Sequence, residues 1–139
     1  MALNLDSLKK SIGVLRHSIQ TSDKHSGSGD KDLEITLRAG VIQNFEVAYE
    51  QSWKMIQRWI KENKSTDEAE NPRTRKELFR QAALYGLISD PIPWFTYGEA
   101  RNLSSHTYDE EKAISVYETA KQFLPDSEWL LQRLDEMND

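Results

Sequence analysis

Residues 33–60 read LEITLRAGVIQNFEVAYEQSWKMIQRWI, and the spacing of their apolar side chains decides the fold. Leu33, Leu37, Val41, Phe45, Tyr49, Trp53, Ile56 and Ile60 recur at steps of three and four. That period puts them on one stripe of a helix. Leu33 to Leu37 also alternates apolar and polar residues like a half-buried strand, but the helical register continues unbroken beyond it. The whole stretch therefore predicts one long helix. Gly40 inside it either costs stability or marks a close packing contact.

The same period extends outward in both directions. Leu5, Leu8, Ile12, Leu15 and Ile19 form an upstream stripe, and Ser26-Gly27-Ser28-Gly29 separates it from the long helix as a turn. Downstream, Glu62 to Asn71 is polar and reads as an exposed loop. Asn71-Pro72 then supplies a cap and a first-turn proline for a third helix through Leu78, Ala82 and Tyr85, stopped by Gly86. Ser89-Asp90-Pro91 opens a fourth segment with Trp94, Phe95 and Tyr97. Thr107-x-x-Glu110 reads as a capping box for a fifth helix along Ala113, Val116, Tyr117, Ala120 and Phe123. Pro125 is expected to end that helix, with a terminal helix through Trp129, Leu130, Leu134 and Met137. The expected fold is all-α: an antiparallel bundle with an up-and-down four-helix core and an additional helix, in one domain over 1–139.

Composition bounds the function. The chain has 139 residues, 37% hydrophobic, with four Trp, which suits a single packed core. A net charge of −5 argues against indiscriminate polyanion binding, so any nucleic-acid contact must come from a local basic patch. The absence of cysteine removes disulfides, thiolate nucleophiles and cysteine metal sites. Neither a basic-then-apolar leader nor a membrane-length apolar run is visible, so a cytoplasmic protein with no membrane contact is expected.

Chemistry concentrates in Arg101-Asn102-Leu103-Ser104-Ser105-His106-Thr107-Tyr108. Arginine forks onto phosphate or carboxylate oxygens, and histidine alone has an ordinary pKa near neutrality. In one unbroken helix, Arg101 and His106 would point about 140° apart. A break before Thr107 lets both turn toward one space beside a helix N-terminus, a setting that favours phosphate. Without further information, the same residues also fit capping and surface roles. Glu46, Glu50 and Lys54 lie one turn apart; Glu50 and Lys54 suit an i,i+4 pair. The repulsion between Glu46 and Glu50 leaves two readings, a solvated face or a contact to Arg101, and the solvated face is the simpler. Arg73, Lys76 and Arg80, with Arg75 nearby, form the candidate patch for RNA or a protein partner. Asp109, Glu110 and Glu111 point apart on a helix and complement its dipole, so no metal is assigned. His17 and His25 are read as surface residues.

Arg101-Asn102-x-x-x-His106-x-Tyr108 resembles the R-x4-H-x-Y signature of HEPN domains. The resemblance extends to Ile42-Gln43-Asn44-Phe45-Glu46, Tyr49-Glu50 and Trp53-Lys54, then Pro72-Arg73, Ala82-Ala83, Gly86-Leu87-Ile88-Ser89-Asp90 and Trp94. In that order they are similar to the nucleotidyltransferase substrate-binding subunit family, from about Leu5 to Leu134. The resemblance implies a five- or six-helix homodimer with facing arginine–histidine motifs, partnered by a minimal nucleotidyltransferase. It implies a metal-independent endoribonuclease of toxin–antitoxin type that needs no cofactor. In it Arg101 and His106 are catalytic, Asn102 assists, and AMP transfer onto Tyr108 silences cleavage. The alternative it leaves open is a non-catalytic subunit that binds substrate or nucleotide for that nucleotidyltransferase.

Overall fold

The computed structural model describes residues 2–64 and 74–138. Among the described residues five α-helices follow one another: α1 (Asp6–Lys24), α2 (Lys31–Asn63), α3 (Arg75–Leu84), α4 (Pro91–Leu103) and α5 (Glu110–Glu136). A 3-10 turn, Ser104–His106, joins α4 to α5. No strand occurs among the described residues, as the periodicity requires. The long stripe is α2, and its Val41, Phe45, Ala48, Tyr49, Ile56 and Ile60 are all buried.

Helix α1 lies along α2 through Leu8, Ile12 and Leu15, each wholly shielded from solvent. The turn between them needs left-handed backbone at Gly27 (φ 77°) and Gly29 (φ 84°), and only glycine adopts this without a Cβ clash. Asp30 then caps α2 by accepting from the Leu33 N–H at 3.1 Å. Helix α5 packs against α1, α2 and α4, completing the core. Its Phe123 ring stands edge-on to Phe45, Trp94 and Tyr97 at centroid distances of 5.2, 5.5 and 5.1 Å. Arg16–Glu128 at 2.7 Å and Lys121–Asp23 at 3.3 Å tie α1 to α5 at the surface. Such exposed pairs contribute roughly 0–1 kcal/mol each, so the aromatic core outweighs them.

Three helix boundaries differ from the sequence reading. Asn71 and Pro72 lie outside the described residues, but the N-cap of α3 is Thr74, whose hydroxyl accepts from the Glu77 N–H at 3.1 Å. Thr107 does not cap α5. Asp109 does, accepting from Glu111 and Lys112 N–H groups at 3.0 and 3.3 Å, because a carboxylate adds charge to the capping bond. Pro125 does not end α5, which runs through it to Glu136. An internal proline removes one backbone bond at a cost of about 3 kcal/mol. Burial of Phe123, Ser127, Leu130 and Leu134 on both sides holds the helix together across that gap. Gly86 behaves as expected. At φ 81° it closes α3 with Leu87 N–H to Ala82 O at 2.9 Å and Gly86 N–H to Ala83 O at 3.1 Å.

Gly40 marks no close contact, since a Cβ there would meet nothing within 4 Å. Gly40→Ala should therefore raise unfolding free energy by about 0.5–1 kcal/mol through backbone entropy alone, read by thermal unfolding. A lowered midpoint would show an interaction at Gly40 that the isolated protomer lacks. Phe123→Ala should lose about 3–5 kcal/mol in denaturant unfolding, because four aromatic neighbours cannot collapse into the void. A loss below about 1 kcal/mol would mean the core is not centred there.

Candidate functional site

The end of α4 is fixed to α2 by charge. Arg101 lies in the last turn of α4, and its Nη1 donates to Glu46 Oε2 at 2.8 Å. Its Nε lies 3.4 Å from Glu50 Oε1, close enough for an ion pair but outside hydrogen-bond geometry. The buried Ser104 hydroxyl accepts from Arg101 Nη1 at 3.2 Å. Its single hydrogen goes either to Glu46 Oε2 or to the Arg101 carbonyl, both 2.6 Å away. Among the described residues nothing bonds Arg101 Nη2. The guanidinium is thus held at Nη1 and paired at Nε, with Nη2 left unbonded.

The repelling pair on α2 therefore exists to grip Arg101, and the simpler solvated-face reading of Glu46 and Glu50 is corrected. Glu50 does not pair with Lys54 either. It accepts from Trp53 Nε1 at 3.0 Å, while Lys54 Nζ sits 5.7 Å from the Trp53 ring centre. Ser104 was inside the quoted stretch but given no role. Its i+3 spacing from Arg101 was the available signal.

His106 ends the 3-10 turn and is exposed. Its Nδ1 lies 3.3 Å from the Tyr108 phenol oxygen, with the rings edge-on at 5.9 Å. Where Nδ1–H donates to the phenol, Nε2 is a free acceptor that can take a proton. Where the phenol donates, Nε2 carries a proton to give. Tyr108 is 84% exposed.

Within one protomer, Arg101 and His106 do not line the same cavity. Arg101 borders a cleft of about 480 Å³ between α2, α3 and α4, which also includes Tyr49, Arg75 and Phe95. His106 borders a separate groove of about 480 Å³ between α4 and α5, near Ser115 and Thr119. The exposed Asn102 borders both, and its carbonyl accepts the Ser105 hydroxyl at 3.1 Å. Of the basic patch, Lys76 Nζ and the Arg80 guanidinium both approach the Phe95 ring, at 5.5 and 5.3 Å. Arg73 lies outside the described residues. Among the described residues, no group of three or more His, Asp or Glu is placed to hold a metal ion. No helix there is long and apolar enough to cross a membrane.

Residues 3–136 match the family described as "Nucleotidyltransferase substrate binding protein like". The chain belongs to this family. A Haemophilus influenzae relative named "Probable ribonuclease HepT" is 36% identical over 138 residues, covering 98% of this chain and 94% of the relative. A solved Haemophilus influenzae structure, described as revealing the fold of a substrate binding domain of a nucleotidyltransferase, superposes with a TM-score of 0.85. It is 36% identical and covers 95% of this chain and 99% of the other. Membership in the substrate-binding family and the R-x4-H-x-Y segment agree on an all-helical HEPN protein.

The Arg101 grip is a structural link between α4 and α2. Glu46→Ala should lower unfolding free energy by about 1–3 kcal/mol, since a half-buried cation and the Ser104 hydroxyl both lose an acceptor. Denaturant unfolding measures it. An unchanged midpoint would mean the grip is not formed in solution.

Proposed function

We propose that the chain is the HEPN subunit of a two-component nucleotidyltransferase/HEPN system of toxin–antitoxin type. It acts there as a homodimeric, metal-independent endoribonuclease. The observation that carries this reading is the grip on Arg101. Two carboxylates and a serine hold Nη1 and Nε of a guanidinium and leave Nη2 unbonded, one 3-10 turn from an exposed imidazole.

The chemistry follows from those groups. His106 Nε2 takes the proton of a ribose 2′-hydroxyl, whose oxygen attacks the adjacent phosphorus. The P–O5′ bond breaks, and the 5′-oxygen receives a proton from an imidazolium. The products are a 2′,3′-cyclic phosphate and a free 5′-hydroxyl. Arg101 Nη2 stabilises charge on the non-bridging oxygens as it builds in the transition state. Asn102, on the ridge between the two cavities, supplies an amide for a phosphate oxygen.

A second copy of the chain has a physical reason to be present. Two carboxylates offset much of the Arg101 charge, and His106 opens into a different groove of the same protomer. An arginine from one copy facing the histidine of the other supplies the convergence that one copy lacks. Silencing fits the same geometry. The exposed Tyr108 phenol attacks the α-phosphorus of ATP in the partner enzyme, and pyrophosphate leaves. The adenylate then stands beside His106 Nδ1 and blocks its approach to RNA.

A second reading, a non-catalytic subunit that binds substrate or nucleotide for the nucleotidyltransferase, is favoured by the structural relative described as a substrate binding domain. The two readings part at His106. His106→Ala should reduce RNA cleavage by about 100-fold or more, the usual contribution of a general base, while the protein stays folded and its oligomeric state is unchanged. Cleavage undiminished in a pure His106→Ala preparation would remove the nuclease reading and leave the binding subunit.

A further inference from the structure

The cleft beside Arg101 contains more positive charge than its own carboxylates balance. Arg75 lies with its guanidinium carbon 3.7 Å from the Trp53 ring centre, and its Nη1 donates to the Tyr49 hydroxyl at 3.3 Å. Among the described residues no carboxylate comes within ion-pair distance of Arg75 or Lys76. Glu50, on the opposite wall, is already committed to Arg101 and Trp53. Glu99 at the rim is exposed. In a chain of net charge −5, two cations with no carboxylate partner among the described residues, beside a third, are not explained by surface solubility.

Helix stability does not explain them either. Arg75 and Lys76 occupy the first turn of α3, where a positive side chain opposes the helix dipole and a carboxylate would be preferred. Arg75 is also pre-oriented. Stacking on Trp53 and the bond to Tyr49 fix a fork that would otherwise lose side-chain entropy on binding. Tyr49 reaches that position because residue 98 is glycine; a Cβ there would stand 3.0 Å from the phenol oxygen. Burial raises the Tyr49 pKa, so the phenol stays a neutral acceptor for Arg75. Phe95 supplies an aromatic wall on the far side of the cleft, flanked by Lys76 and Arg80.

From this arrangement we infer that the cleft is a nucleotide subsite, in which Arg75 and Lys76 take a phosphate and Phe95 takes the base. In its RNA form the inference rests on the nuclease reading, with the subsite receiving the nucleotide next to the cleaved phosphate. A free mononucleotide presents the same phosphate and base, and the experiment separates the two sources. Arg75 and Lys76 are binding residues here and take no part in proton transfer.

The test measures affinity for two probes, 5′-AMP and a short 2′-O-methyl oligoribonucleotide that lacks the attacking hydroxyl. Arg75→Ala should weaken binding of the recognised probe by about tenfold, the equivalent of one charge-assisted hydrogen bond. For the oligomer it should also reduce the slope of log affinity against log salt by about 0.7. Because Arg75 packs on Trp53, its variant is accompanied by Lys76→Ala, an exposed position whose loss leaves the core untouched and should shift both readouts the same way. Weakening confined to the oligomer supports a subsite for the RNA chain, and weakening with 5′-AMP supports one for a free mononucleotide. Affinities and salt slopes unchanged in both variants, or no binding of either probe by the native protein, would overturn the inference. Absence of RNA cleavage by the native protein would sink the nuclease reading while this binding result stands.

Discussion

A guanidinium held between two carboxylates links the long second helix to the end of the fourth, and the site is arranged around that link. Arg101 has ample donors, so it can bond Glu46 and Ser104 through Nη1, pair with Glu50 at Nε and still present Nη2. Two carboxylates one turn apart on α2 repel by roughly 0.2–0.5 kcal/mol, and the cation between them offsets that repulsion. The grip also fixes where α4 stops, since Ser104 uses its hydroxyl both in the cluster and against the Arg101 carbonyl at the start of the 3-10 turn.

That turn decides what His106 can do. A continuous helix would place the imidazole on the far side from Arg101, whereas the tighter 3-10 geometry and the Asp109 cap carry it to an exposed ledge. The outcome is not one enclosed cavity but two, separated by a ridge at Asn102, one lined by Arg75, Lys76 and Arg101 and the other by the His106 imidazole. Such a division suits a long polyanion better than a small enclosed substrate, because a strand can pass from one cavity to the other. The cations at the start of α3 extend the first cavity away from the ridge along that path.

The all-helical fold was legible from periodicity because apolar spacing over α1, α2 and α5 reports directly on burial. Boundaries were less legible where two local signals competed. Thr107-x-x-Glu110 has the residue types of a capping box, but Asp109 lies within the same turn and its charge wins the N–H groups. Pro125 carries a strong local penalty, yet tertiary burial on both sides exceeds it, which no local reading can reveal. The R-x4-H-x-Y residues were visible as a concentration of chemistry. Their partners were visible only as the less simple of two readings, because Glu46 and Glu50 are more than fifty positions away from Arg101 and look like ordinary surface acids. Spacing places Arg75 only beside the basic patch, since its contacts depend on Trp53 and Tyr49, residues that the same spacing assigns to the core.

The central claim is that an arginine of one copy and a histidine of the other form one cleavage site. Mixing two separately inactive proteins, Arg101→Ala and His106→Ala, under conditions that exchange subunits tests it most directly. In the mixed dimer, one shared site regains an intact Arg101 and an intact His106, so RNA cleavage should return to a substantial fraction of the native rate. A mixture no more active than either parent, with subunit exchange verified, would contradict the account.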